Sequence, residues 1–465
     1  MISFYEWQLA FLVLACAAFL VLQRYVFAKP KAISQGVTQS EIAADLSRRY
    51  LCVYALAMGA DWLQGPYIYS VYREQHDLPE RLVALLFVLG FLTAGISAPA
   101  VGVWADQYGR KRMCMVFCIT YAIACAVIQI SSLPLLFAGR FLGGFSTAIL
   151  FSCFESWLVS SSNALSLSSQ HLSTILGHAT LVNSIAATMA GIASNKMVEY
   201  SGLLSSPFLA SGALLLLTLV VISITWKENY GGAEASADNI INMQHLSEAW
   251  TVACADKRLF VLGFIQMCFE GSMYLFVFLW VPFLQEAASP NHALPLGYIF
   301  SSFMLSMTFG ALLYGAVVSL DEPSQTADVS SPHHDDERTV TFHATLSSAV
   351  CAVGALAFLI STATRHEHLR FWAFCAYEAC VGVYYPVQGM LRGKLVPDEH
   401  RATLFSLFRV PLNVFVVVSL MTGVASARHF VLSACSLLLL LSALVTAFVF
   451  LGRTRGPALA SLRVE

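Results

Sequence analysis

Thirteen long apolar stretches run through this chain, each about the length of helix that a hydrocarbon core of about 30 Å requires, roughly 20 residues. They centre on 7–27, 48–72, 82–104, 112–131, 133–157, 172–196, 205–226, 258–284, 295–318, 342–362, 369–391, 401–424 and 429–451. The runs are continuous rather than alternating, which favours helices over a barrel, since a spanning helix satisfies its own backbone hydrogen bonds. Composition agrees: 57% of the 465 residues are hydrophobic and 12% charged, where a soluble domain carries about 25% charge. The mean hydropathy is +0.69. The expectation is an all-α polytopic membrane protein, embedded in the lipid bilayer. A net charge of −2 gives no bulk attraction to nucleic acid. The twelve cysteines are scattered, without a CxxC pair or zinc spacing, and read as buried, inert thiols. No metal or cofactor is expected.

If the loop after the third span is cytoplasmic, alternate loops place most of the 26 basic residues inside, which fixes topology by the positive-inside rule. The amino terminus is then outside and the carboxyl terminus cytoplasmic. Arg24, Lys29 and Lys31 follow the first apolar run rather than precede it, the polarity of a signal anchor and not of a cleaved signal peptide. No retrieval signal is evident, so the default location is the cell membrane, multi-pass.

The chain divides into an extra amino-terminal helix with its connector (1–43), a six-helix half (44–226), a polar cytoplasmic linker (227–257), a second six-helix half (258–452) and a cytoplasmic tail (453–465). Two six-helix halves suit a repeat-built secondary transporter. Asp61 and Glu270 lie at similar depth in the first helix of each half, as do Arg140 and Glu378 in the fourth. A second polar segment, Leu320–Val340, holds His333, His334, Asp335 and Asp336 and reads as a solvated loop.

Between spans three and four the chain reads Gly102-Val-Trp-Ala-Asp106-Gln-Tyr-Gly109-Arg110-Lys111-Arg112. Glycine allows a tight turn, and an acid can face a helix amino terminus. The segment resembles the GxxxDxxGRK loop of the major facilitator superfamily, and Gly139-Arg140-Phe-Leu-Gly143-Gly144 resembles its second signature. The resemblance implies a cytoplasmic gate in which Asp106 and Arg110 latch onto Glu155 and the start of the eleventh core helix, Ala402–Ser406. Gly315–Asp321 in the second half lacks the basic cluster, so the latch is expected on one side only. The runs Ala60–Tyr69, Gly139–Trp157, Phe264–Gly271, Pro295–Met304, Gly382–Pro386 and Phe408–Val414 look like the molybdate-anion transporter branch. That resemblance implies the major facilitator fold, two six-helix halves plus one extra amino-terminal transmembrane helix, and an oxyanion as substrate.

Charges inside spans are costly unless paired or facing water. Asp61 precedes Gln64, Gly65 and Pro66; Asp61 and Gln64 share a helix face, and Gly-Pro interrupts backbone bonding where a helix lines a cavity. Asp61 is a site or coupling residue, or else the structural partner of an arginine. Arg140 and Arg409 read as the basic residues deep in spans. Arginine supplies the charge and donors that a tetrahedral dianion needs; the alternative is pairing with Glu378 or Asp61. Glu270 and Glu378 would repel a dianion and fit better as proton carriers, with the halves rocking about a midplane site. Asn183, Gln266, Ser301, Ser302, Tyr384 and Tyr385 are candidate donors along a cavity, though polar residues in such helices are commonly packing glue. His178 reads as a satisfied interior histidine.

The function expected is secondary active uptake of molybdate or a similar oxyanion by alternating access, with protons as the candidate coupling ion. The rivals are the same fold moving sulfate, a sugar or an organic acid, and a non-transporting membrane receptor. No phosphate-cradling loop, nucleophile elbow or metal-ligand set is present, so an enzyme is not expected.

Overall fold

The computed structural model describes residues 4–26, 37–231, 256–289, 293–321, 332–396, 401–423 and 427–451. Thirteen long helices account for nearly all of them: α1 (Phe4–Val26), α2 (Val37–Gln64), α3 (Glu80–Tyr108), α4 (Arg110–Val127), α5 (Leu133–Ala164), α6 (Ser169–Ser201), α7 (Ser206–Thr225), α8 (Lys257–Ala287), α9 (Leu296–Asp321), α10 (Pro332–Ala363), α11 (Glu367–Leu395), α12 (Arg401–Gly423) and α13 (Arg428–Leu451). Nine helices among the described residues are long and apolar enough to cross a membrane. The other four are α2, α4, α11 and α12. Three of these carry several charges, such as Asp61, Arg110–Arg112 and Glu378, and α12 offers a shorter apolar run, Phe408–Met421.

Local chemistry sets the helix ends. Ser168 accepts a bond from His171 N at the start of α6, and Asp256 one from Arg258 N at the start of α8; each satisfies an amide that the helix cannot. α2 stops at Gln64, before Gly65-Pro66. The chain resumes as a short helix, Ile68–Ser70, and a π-helical turn, Val71–Gln75. Proline has no N–H to continue the ladder, so the interruption falls next to two of the candidate site residues.

Two compact units are present. The first comprises Met1–Leu9, Lys29–Ile241 and Pro295–Met304; the second comprises Ala10–Ala28, Asn242–Leu294 and Leu305–Glu465. In the first, α2 packs on α6 and α7, α3 on α5, and α4 on α5 and α7. In the second, α8 packs on α11, α12 and α13, and α10 on α11 and α13. Most of α1 therefore belongs to the second unit. The Cys16 thiol donates to Leu305 O at 3.5 Å, Phe19 meets Phe309 edge-on, and Phe11 meets Trp372.

Two expectations change. Helix α10 begins at Pro332, so residues 332–340 are helical rather than loop; proline is well suited to the first helical position. The side chains of His333–Asp336 lie outside the described residues. His178 is exposed on α6 and not an interior histidine, because the neighbouring Ile175 and Ala179 take the packed face.

At the α3–α5 crossing, a Cβ on Gly144 would overlap the Gly90 carbonyl and come 2.9 Å from Thr93 Cβ. Small residues let membrane helices approach this closely. Gly144→Val should lower unfolding stability by about 1–3 kcal/mol, read as a reduced thermal midpoint in detergent. Gly59→Ala, where nothing lies within 4 Å of the added carbon, should leave the midpoint unchanged.

Candidate functional site

In the first unit, polar groups gather around the break in α2. The Tyr121 hydroxyl of α4 donates to Asp61 Oδ1 at 2.7 Å. Gln64 Nε2 donates to Ser211 Oγ at 3.0 Å, and Ser211 donates to Ala60 O. Arg140, from α5, reaches the same place. Its Nε donates to Leu86 O at 3.2 Å, and its guanidinium carbon lies 4.9 Å from the Phe87 ring centroid and 5.9 Å from that of Tyr72. Gly90 leaves room for the group: a Cβ there would come 3.1 Å from Nη2. Gln64, Tyr72, Tyr121 and Arg140 line one narrow cavity of about 20 Å³, which admits a single water.

Arg140 makes no ion pair among the described residues, and its Nη1 and Nη2 have no hydrogen-bond acceptor there. Asp61 is bonded to Tyr121 instead. Asn183 lines no part of this cavity; its Oδ1 accepts Trp62 Nε1 at 2.8 Å. Ser301 donates to Thr188 O and Gly297 O, and Ser302 to Tyr298 O, which is the behaviour of packing residues.

In the second unit, Glu270 is the hub. Arg392 Nη2 lies 2.8 Å from its Oε1, Tyr384 Oη donates to Oε1 at 3.3 Å, and Gln266 Nε2 to Oε2 at 3.3 Å. Tyr384 is held by stacking on Phe269, with ring centroids 4.0 Å apart. Tyr385 meets Met273 Sδ. Glu378 is 7% exposed and has neither a hydrogen bond nor an ion pair among the described residues. Arg409 is exposed on α12, near Tyr274, and makes no ion pair among them.

Two further arginines in the spans are not singled out by the sequence pattern. Arg392 sits in the last turn of α11, just past the expected span end at 391. Arg370 is 0% exposed, donates to Phe283 O and Thr364 O, and lies 3.4 Å from Glu286. A depth-based signal could have found Arg392: a long side chain near a helix end reaches well into the span.

At the loop between α3 and α4, α3 ends at Tyr108 and Gly109 turns at φ 106°, a conformation suited to glycine. Arg110 Nη2 bonds Asp106 Oδ1 at 2.8 Å. The acid at the amino terminus of α4 is not Asp106 but Glu228, whose carboxylate accepts Lys111 N at 2.8 Å and Arg112 N at 3.2 Å. The segment Trp226–Gly231 straps across the loop. Arg110 N donates to Asn229 O, Gly231 N to Asp106 O, and Trp157 Nε1 to Lys227 O. Trp157 and Trp226 stack 3.7 Å apart at 8°. Glu155 is exposed and lines an open cleft of about 540 Å³ with Arg110, Asn163 and Tyr230, without an ion pair to Arg110 among the described residues. The side chains of Ala402–Ser406 lie outside the described residues.

Residues 10–324 match a family model described as sugar transporters with 12 transmembrane helices. The chain is also 31% identical over 406 residues to the molybdate-anion transporter of Xenopus laevis, covering 85% of this chain and 84% of that one. The molybdate-anion transporter of Danio rerio is 31% identical over 448 residues, covering 89% and 86%. The chain belongs to the molybdate-anion transporter family of the major facilitator superfamily. Solved structures share the fold: the nucleoside transporter NupG at 13% identity and TM-score 0.62, covering 88% of this chain and 99% of that one, and a bacterial homologue of the human lysosomal transporter Spinster at 13% identity and TM-score 0.59, covering 90% and 98%. The fold is the all-α major facilitator fold, and the chain is a multi-pass membrane protein of a transporter family.

Because Glu228 satisfies two amides at a positive helix end, Glu228→Ala should cost about 1–2 kcal/mol of unfolding stability. Release of the strap should also shift tryptophan emission to longer wavelength as the Trp157–Trp226 stack meets water.

Proposed function

We propose that the protein carries molybdate, or a closely similar tetrahedral oxyanion, into the cell by alternating access across the cell membrane. Its amino terminus faces outside and its carboxyl terminus the cytoplasm. The observation that carries this reading is Arg140, an intramembrane guanidinium with no carboxylate beside it among the described residues. A charge in that setting is costly until a counter-ion arrives. A dianion supplies one, and accepts paired N–H donors in the geometry a guanidinium offers. A sugar, the solute named in the family model's description, would leave that charge uncompensated.

Of the residues that line the cavity with Arg140, Tyr72 adds a hydroxyl donor, while Gln64 Nε2 donates to Ser211 and Ala60 O and the Tyr121 hydroxyl to Asp61. At about 20 Å³ the cavity has room for about one water and is too small for an ion of four oxygens. Loading therefore requires the pocket to open, as alternating access demands. Asp61, occupied by Tyr121, positions that hydroxyl rather than the ion. Arg409 is the other candidate cation. Asp106 and Arg110 hold the gate loop, and Glu155 is the acid they would meet on closure. Protons are the proposed coupling ion, with Glu378 and Glu270 as carriers. Glu378 supports this, being buried without a cation beside it.

Molybdate uptake should appear in cells expressing the wild-type chain and fall by about tenfold or more in Arg140→Ala, with surface expression measured alongside. Wild-type uptake that competing sugar abolishes and sulfate or tungstate does not would reverse the reading. Protonation neutralises Glu378, so wild-type uptake should rise as the external medium is acidified. Glu378→Gln should flatten that profile.

A further inference from the structure

Four polar side chains line the Arg140 cavity: Gln64, Tyr72, Tyr121 and Arg140 itself. Gln64 Nε2 is given to Ser211 and Ala60 O, the Tyr121 hydroxyl to Asp61, and Arg140 Nε to Leu86 O. Tyr72 is the exception. It is 2% exposed, its ring centroid lies 5.9 Å from the Arg140 guanidinium carbon, and its hydroxyl makes no hydrogen bond among the described residues. The other lining side chains are apolar and offer it no acceptor. A hydroxyl withheld from water in this way costs free energy until a partner arrives.

Tyr72 reaches the cavity from the π-helical turn Val71–Gln75. Such a turn closes its hydrogen bond over one more residue than an α-helix does, so it sets side-chain directions that an α-helical turn of the same residues would not. The residues that follow tie it down. His76 N donates to Val71 O, and Leu78 N to Tyr72 O. Gln75 Nε2 donates to Ser205 Oγ at 3.0 Å, just ahead of α7. His76 Nε2 donates to Ile128 O at 2.8 Å, and its Nδ1 lies 2.9 Å from Ser131 Oγ. Ile128 itself lines the cavity, so His76 fastens the turn that bears Tyr72 to the cavity's own wall. Asp77 then turns at φ 49°, a conformation that Asp adopts more readily than most residues.

We infer that Tyr72 binds the transported ion through its hydroxyl, alongside Arg140, and that Gln75 and His76 are positioning residues that hold its π-helical turn in place. This rests on the oxyanion reading above. A guanidinium takes two oxygens of a tetrahedral ion through paired N–H donors, and Arg140 Nη1 and Nη2 have no acceptor among the described residues. The ion's other oxygens, taken out of water, need donors from elsewhere. Tyr72 supplies one without giving up a bond inside the protein, which neither Gln64 nor Tyr121 can do. In the empty pocket the same ring lies against the guanidinium and attracts it without neutralising it. The direction of the hydroxyl depends on the turn, and the turn depends on Gln75 and His76.

The test is equilibrium binding of labelled molybdate to the purified full-length protein, with the thermal midpoint of each variant measured alongside. Tyr72→Phe keeps the ring and removes only the hydroxyl. It should bind about tenfold more weakly than wild type, with its midpoint unchanged, because that hydroxyl bonds nothing in the protein. His76→Ala and Gln75→Ala should each bind about three- to tenfold more weakly. His76→Gln, which keeps a donor for Ile128 O, should recover most of the loss. In Tyr72→Phe/His76→Ala and Tyr72→Phe/Gln75→Ala the second change should add little, since it acts through a hydroxyl already removed. Gln75 is exposed, so its pair of variants decides the point if His76→Ala does not fold. Tyr72→Phe that binds like wild type would overturn the inference, the hydroxyl then meeting only water. So would losses that simply add in the double variants, because Gln75 and His76 would then be structural ties alone. Either result, with wild type binding and Arg140→Ala not, would leave the oxyanion reading intact. A wild-type protein that binds no molybdate overturns both.

Discussion

A hydrocarbon environment supplies neither hydrogen bonds nor counter-ions, and every polar group in the spans has to find both within the protein or in what the protein carries. The backbone meets the demand by forming helices almost everywhere. Beside the break in α2 at Gly65-Pro66, Ser211 donates to Ala60 O and Gln64 to Ser211. The same demand, applied to charge, separates the arginines into distinct types.

Arg370 is the structural type, fully enclosed and bonded to two carbonyls, with Glu286 beside it. Arg392 has a carboxylate partner within a partly open pocket. Arg140 has a single carbonyl and two aromatic faces, which attract a cation but do not neutralise it. Burial alone would rank Arg370 first as a functional residue. The state of its partners ranks it last, because its Nε and Nη1 are bonded to carbonyls and Glu286 already offsets its charge.

Much of the architecture was legible in the amino-acid order because it follows from run length and punctuation. Thirteen apolar runs became thirteen long helices among the described residues, and the Gly-Pro step marked the break in α2. The loop between α3 and α4 was recognisable because Gly109 and the basic cluster occupy fixed places in it. Pairings were less legible, since they depend on which helices meet and at what height. Asp61 and Arg140 sit at positions that invite pairing, yet a tyrosine two helices away takes the acid. Glu270 was singled out without its partner, because Arg392 begins at the rim of its span and reaches inward along its flexible stem. Glu228 was hidden for another reason: an acid in a polar linker carries no signal of its own until the chain folds back over α4.

The position of α1 bears on how the chain matures. Its described contacts from Phe11 onward are with α9 and α11, and Cys16 meets a carbonyl 289 positions later in the sequence. At about 5–20 residues per second, that partner emerges roughly 15–60 s after α1 does. Throughout that interval α1 must persist in the bilayer by its own apolarity while the six helices of the first half are made. A helix with Trp7, Phe11, Leu14 and Leu22 on exposed faces is suited to wait in lipid. Assembly of the second unit is in this sense closed by a segment synthesised well before its partners.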